Sequence, residues 1–365
     1  LGVGANTAIF GVWDRVILRP LPVAKPHELV KVECHMTIDN GKYFDTSGRF
    51  RYSDYERFNN QSQLFSGMLA YGGQGKVSLR DQHGASRQDA LAVSGNYFDV
   101  FGVKPCVGRM FLPEDDRLSA DQPVAVISHA LWRRRFGGHK DAIGQQLTID
   151  NLPVTIIGVA PAKFTGRLLG LPDIYIPLYV WARMHNVSLQ DHPESLVHLI
   201  GRLKPGVSRV QAEARLRVVA SWITEDDPEE IQSTVLLSPA NRQKLSGIKQ
   251  AVYPLPLLMA VSIMLLLIAC ANIANMQLVR ASTRHKEIAI RQAMGASRAR
   301  IIRQLLCESL FLAVLGGICG ILLAIWLDRL LCTFLSSTSF FRFTPGLDAR
   351  TLTFALAVSL ATGVV

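Results

Sequence analysis

A strongly basic run, RASTRHKEIAIRQAMGASRARIIR from Arg280 to Arg303, is trapped between two long apolar segments. YPLPLLMAVSIMLLLIACANIANMQLV precedes it and QLLCESLFLAVLGGICGILLAIWLDRLL follows it. Seven Lys and Arg (280, 284, 286, 291, 298, 300, 303) stand against one acid, Glu287. A short basic loop between two membrane spans belongs on the cytoplasmic side, because Lys and Arg resist translocation. That assignment orients the rest of the chain.

The chain has 365 residues, 49% hydrophobic and 19% charged, a balance that suits some spans plus a large aqueous domain. The basic run supplies 7 − 1 = +6 of the net +10, so the charge speaks of membrane orientation. No basic patch with interleaved aromatics marks a nucleic-acid surface.

Four apolar segments emerge, at about 1–18, 254–279, 305–334 and 351–365. The first and last fall short of the roughly 20 residues a spanning helix needs, and they read as cut helices. In the third, Gly316 and Gly320 are four apart, as are Ala313 and Gly317. Small residues at that spacing let a second helix approach closely. The alternative is a lipid-facing helix with incidental glycines.

Residues 19–253 hold no long apolar run and lie opposite the basic loop, outside the cytoplasm. They read as α+β. Short strands are expected at Glu28–Cys34, Lys76–Arg80, Asp89–Ser94, Val124–Ser128 and Ile174–Leu178, with helices at Ser53–Gln61 and His129–Phe136. A hairpin joins Gln146–Asp150 to Val154–Val159 across Asn151-Leu152-Pro153. A β-α-β pattern closes the domain. It comprises Leu196–Leu203, a helix capped by Ser208 with Val210, Ala214, Val218 and Trp222 on one face, and Thr234–Leu237. Cys34 and Cys106 fall here and could pair outside the cytoplasm, although two buried thiols is the simpler reading.

Catalytic constellations are absent from the sequence. The nine His show no HExxH spacing, and there is no CxxC and no G-x-S-x-G elbow. Gly75-Lys76 is followed by Val77, so it is no phosphate loop. No cofactor is expected, and the chain reads as no enzyme.

Within the basic run, Thr283–Met294 holds good helix formers and ends at Gly295, suited to a left-handed cap. Glu287 precedes Arg291 by four residues, the favourable order for an ion pair. Ser297 can cap a second helix leading into the next span. A helix lying on anionic headgroups would need no tight Met294-Gly295-Ala296-Ser297 turn, so docking of a cytosolic protein is the preferred reading. The expected docking residues are Arg284, Lys286, Glu287, Ile288, Arg291, Gly295, Ala296 and Arg298. Those expected to pack helices are Ala313, Gly316, Gly317 and Gly320.

The segment CANIANMQLVRASTRHKEIAIRQAMGASRARIIRQLLCES closely resembles the signature of MacB/FtsX-type ABC-transporter permeases. GVGANTAIFGVWDRVILRPLP is similar to the end of that family's first membrane helix. VSGNYFDVFGVKPCVGRMF, VAVISHALWRRRFGG, IGQQLTIDNLPVTIIGVAP and RLKPGVSRVQAEARL resemble its extracytoplasmic core domain. The pattern is most similar to the duplicated permeases of acidobacteria, of which one module is present here.

The resemblance implies an α+β extracytoplasmic domain of two subdomains, one inserted in the other, plus an α-helical transmembrane bundle. Residues 25–245 form the MacB-like core, with 25–93 joined by 190–245 and 94–189 inserted. Residues 254–365 form the FtsX-like permease domain, with spans 254–279, 305–334 and 351–365 and the coupling segment 280–303. The expected setting is a bacterial inner membrane, with 25–245 periplasmic or extracellular. The expected partners are a separate cytoplasmic ABC ATPase, a second permease module and membrane lipid, without nucleic acid. Export by mechanotransmission is the implied function. The alternatives are an FtsX-like scaffold that controls an external partner, and a membrane-anchored sensor without an ATPase.

Overall fold

The computed structural model describes residues 2–14, 23–37, 43–44, 49–60, 63–81, 84–117, 122–164, 172–190, 196–224, 232–240, 254–293, 303, 307, 314–327, 329–330 and 349–364. It divides into two compact units, Pro20–Gly247 and the combination of Leu1–Arg19 with Ile248–Val365.

Among the described residues, the first unit carries twelve strands. They are β1 (Leu29–Thr37), β2 (Tyr43–Phe44), β3 (Phe50–Arg51), β4 (Phe65–Asp81), β5 (Gly84–Val93), β6 (Val107–Gly108), β7 (Val124–Ile127), β8 (Gln146–Ile149), β9 (Leu152–Val159), β10 (Ile174–Pro177), β11 (Leu196–Leu203) and β12 (Gln232–Pro239). The strand order is β12-β1-β11-β4-β5-β10-β7-β9-β6. β8 pairs with both β9 and β4, placing Leu79 opposite Ile149 and Arg80 opposite Thr148. This closes β4-β5-β10-β7-β9-β8 into a barrel. Val77, Leu79, Leu147, Ile149, Val154 and Ile156 are buried in the hydrophobic cluster that fills it. β12-β1-β11 with the first half of β4 form an open antiparallel sheet, with β2 on β1 and β3 on β11, while β6 pairs with β9 of the barrel.

The 25–93 and 94–189 stretches expected as separate subdomains both contribute strands to the barrel. The second half of β4 and all of β5 belong to the barrel wall, although they precede residue 94. β4 is also much longer than the Lys76–Arg80 strand expected. Its glycines Gly72, Gly73 and Gly75 form a bulge where the register slips from Gly72 opposite Ala92 to Gly75 opposite Ala90.

Four of the first unit's helices are α2 (Tyr52–Asn59), α3 (Tyr97–Phe101), α4 (His129–Phe136) and α5 (Leu178–His185), and α6 (Arg209–Thr224) is its longest. The Ser208 cap expected for α6 is in place, and α4 carries a cap that the sequence reading did not name. The Ser128 hydroxyl accepts from the Leu131 N–H at 3.1 Å. Ser208 and Gln211 satisfy each other's backbone donors at 3.3 and 3.1 Å, a reciprocal cap. Two local expectations are corrected. The hairpin turn is Asp150-Asn151, with φ of 44° and 71°, and Pro153 sits in β9 opposite Thr148. Two successive left-handed residues give the turn whose twist matches paired strands. Among the α6 side chains described, Ala212, Leu216 and Val219 are buried, whereas Val210 and Val218 are 74% and 56% exposed; Trp222 lies outside them.

The second unit contains α1 (Gly2–Trp13), α7 (Pro254–Ala293), α8 (Val314–Leu327) and α9 (Ala349–Val364). Among the described residues, only Pro256–Met276 is long and apolar enough to cross a membrane. The four-span bundle expected from the sequence is thus not reproduced in full. α7 has 40 residues, or roughly 60 Å at 1.5 Å per residue. It runs unbroken through the 279/280 boundary where a separate coupling segment was expected.

Candidate coupling surface and extracytoplasmic joint

Arg284, Lys286, Glu287, Ile288 and Arg291 lie on the C-terminal part of α7. They continue the span's own helix, which carries Arg291 about 22 Å beyond Met276 along the axis. Gly295, Ala296 and Arg298 lie outside the described residues, as does Ala313.

The glycines of α8 separate by environment. Gly316 is exposed, and a Cβ added there meets nothing within 4 Å. Gly317, Gly320 and Ala324 are buried. A Cβ on Gly4 of α1 would stand 2.8 Å from the Gly320 carbonyl oxygen, so these two helices touch backbone to backbone. Polar groups join α1 to its other neighbours. Asn6 Nδ2 donates to the Ser262 carbonyl at 2.9 Å, and both residues are buried. Phe10 stacks on Phe354 at 4.1 Å, and Arg350 stands 3.8 Å from the buried carboxylate of Asp14. Gly4 and Asn6 were not singled out from the sequence. Glycine four residues before a phase-matched small residue was the available signal, but its partner is more than 300 residues away.

In the first unit, polar contacts concentrate where the barrel meets the open sheet. Asp116 is buried, and its carboxylate accepts from the backbone N–H of Gly95 at 3.1 Å and of Tyr179 at 3.0 Å. The Leu178 N–H is a further donor to it. Asp116 thus caps α5 from a distant turn, since α5 has no side-chain cap of its own. Gly95 must be glycine because a Cβ would press on the Leu112 carbonyl at 2.6 Å. Burial nevertheless lifts the Asp116 carboxyl to about 6, against the three N–H donors that favour its charge.

An acid with a folded pKa above its unfolded value of 3.8 holds protons more tightly in the fold. Its contribution therefore raises stability as pH falls through about 6 toward 4, by on the order of 2 kcal/mol. Unfolding transitions of the wild type and D116N across that range check this. The wild type is expected to show the rise and the variant to lack it.

Arg202 of β11, an interior strand of the open sheet, gathers the chain that enters β1. Its guanidinium donates to the carbonyls of Val100 and Ala24 at 2.8 Å each and to Glu28 at 3.0 Å. Lys25 and Arg202 together hold the Glu28 carboxyl below its usual range. Cys106 is a free, exposed thiol, so the pairing with Cys34 left open by the sequence is not made.

Residues 1–219 match the MacB-like periplasmic core domain, which is more than half of the chain. The chain belongs to the MacB/FtsX-type permease family. Residues 259–365 match the FtsX-like permease C-terminal model. The macrolide export ATP-binding/permease protein MacB of Burkholderia thailandensis is 28% identical over 235 residues, covering 64% of this chain and 34% of that protein. That of Shigella boydii serotype 4 is 26% identical over 287 residues, covering 75% and 40%. The chain thus spans between a third and two fifths of the length of these relatives. The crystal structure of the periplasmic region of MacB from Actinobacillus actinomycetemcomitans aligns at 13% identity and a TM-score of 0.44, covering 63% of this chain and 94% of that one.

Proposed function

We propose that this chain is the permease module of an ABC-type export system, driven through the basic segment 280–303. The observation that carries the reading is the continuity of α7, one helix from the candidate span to Arg291 and beyond. A continuous helix transmits a push or a tilt at one end to the other, because its backbone hydrogen bonds resist local bending. The basic segment receives the motion from a cytoplasmic ABC ATPase, and the Pro20–Gly247 domain works on the far side of the membrane. The relatives' names join ATP binding and permease, so the ATPase sits either in another stretch of the same polypeptide or on a separate subunit. ATP hydrolysis lies outside these 365 residues. A second permease module completes the assembly in this reading, with lipid around it. Arg284, Lys286, Glu287, Ile288, Arg291, Gly295, Ala296 and Arg298 form the docking surface.

Charge reversal at Arg291 with Arg298 tests the proposal. In a reconstituted complex the double variant R291E/R298E is expected to insert normally and to lose at least tenfold of the permease-dependent ATPase stimulation. Unchanged stimulation sinks the docking role. Stimulation without any transported cargo favours a regulatory scaffold.

A further inference from the structure

The barrel and the open sheet share one strand, β4, and its register slips where it passes from one to the other. At the bulge, Gly73 and Gln74 fall between residues in register, and Gly73 has φ of +49°. Three glycines in four positions leave this stretch without side chains to pack. Backbone torsion there is freer than at any other residue type. Trp181 of α5 covers the bulge. A Cβ on Gly73 would meet the Trp181 Nε1 at 2.5 Å, and one on Gly75 would meet its ring at 3.3 Å.

The contacts around the bulge bind two different bodies. The chain leaving β5 is fixed to the open sheet. The Ser94 N–H donates to the Ala70 carbonyl at 2.8 Å, the Ser94 hydroxyl accepts from the Ala70 N–H at 3.0 Å, and Asn96 Nδ2 donates to the Met68 carbonyl at 2.7 Å. α5 continues directly from barrel strand β10 and moves with the barrel. Asp116 holds one donor on each body, Gly95 on the sheet side and Tyr179 on the barrel side. Tyr52 of α2 adds a second bridge. Its ring meets that of Tyr179 edge-on at 5.6 Å.

We propose that the Gly72–Gly75 bulge is a flexure joint about which the barrel rocks on the open sheet, with Asp116 and the Tyr52–Tyr179 contact as its latch. The hydrophobic cluster runs through the joint by way of Tyr52, Tyr55, Leu178 and Ala182. The motion is therefore a rocking over a continuous core, and the two bodies do not part. Such a joint gives the domain two arrangements that differ in a few polar contacts, the property a transmitted motion needs.

Hydrogen exchange on the full chain in lipid nanodiscs tests the joint without an ATPase. It can therefore fail while the coupling reading stands. In the wild type, the amides of residues 72–75, 95 and 178–179 are expected to exchange together, ahead of β1, β7, β9 and β11. D116A removes the carboxylate and leaves its backbone donors without an acceptor. It is expected to speed those amides at least tenfold and to leave the four strands unchanged. Y179A removes the ring contact with Tyr52, retains the backbone donor to Asp116, and is expected to speed the same amides about threefold. It serves as the same test should D116A not fold. Exchange of the joint at the rate of the flanking strands overturns the proposal. So does an equal acceleration of the whole domain in either variant.

Discussion

Arg135→Ala is expected to lower the unfolding free energy of the extracytoplasmic domain by about 3–5 kcal/mol, the usual cost of removing one partner of a buried ion pair. Arg135 lies in the last turn of α4 and reaches the tip of the β4–β5 hairpin. Its Nε and Nη2 each meet an Asp81 oxygen at 2.6 Å, a bidentate pair. The same guanidinium donates to the Ser86 hydroxyl and the Gly84 carbonyl. The side chains of Arg135 and Asp81 are 11% and 5% exposed, so solvent screens the pair little. Truncation leaves the Asp81 carboxylate buried without its guanidinium and removes the tie between helix and hairpin. Arg135→Lys is expected to recover less than half of the loss, because an ammonium cannot fork across both oxygens. Urea unfolding of the three forms reads the difference directly.

Gly158→Ala is expected to cost about 2–3 kcal/mol, in the range of other forced insertions into packed structure. Gly158 lies in β9 opposite Gly108 of β6. An added Cβ would overlap the Arg109 carbonyl, a backbone atom that no rotamer change can move aside. Relief requires β6 to lift off β9. That movement endangers the bonds from the Arg109 N–H to the Ile157 carbonyl at 2.9 Å and from the Cys106 N–H to the Val159 carbonyl at 2.8 Å. Exchange of the Cys106 and Arg109 amides, together with the unfolding midpoint, separates a lifted strand from a general loss of packing.

Local chemistry made some of this fold legible in the sequence. Ser128 before His129–Phe136, and Ser208 three residues before Gln211, announce helix starts because a hydroxyl or amide there satisfies donors the helix leaves open. The barrel was not legible. It depends on β8 returning to β4, a pairing of Thr148 with Arg80 that no local pattern encodes. The glycines at 72, 73 and 75 read as a turn flanking the Lys76–Arg80 strand, yet they lie inside a strand that runs from Phe65 to Asp81. On α6, Val210, Ala214 and Val218 repeat as regularly as Ala212, Leu216 and Val219. Only the packing of α6 against β12 decides which stripe is inside.

The candidate site divided in the same way. Charge and flanking hydropathy located the basic segment, because translocation penalises Lys and Arg wherever they stand in the fold. Its continuity with the span was hidden, since Arg280 and Arg284 interrupt the apolar run without interrupting the helix. The spacing of small residues indicated close helix packing in α8. The observed contact uses Gly320 against Gly4, while Gly316 faces open space. Asp116 carried no sequence signal at all. Its role arises from three backbone donors, on two elements, that meet only in the folded domain.

In the coupling reading, motion received at residues 280–303 reaches the domain across the membrane. Hydrogen exchange of residues 20–247, in a complex reconstituted with its ATPase and compared with and without ATP, measures this directly. An ATP-dependent change within this domain is expected, and it is expected to disappear in R291E/R298E. A domain that ATP leaves unaltered in the wild type, or a change that persists in the charge-reversed variant, would contradict this reading.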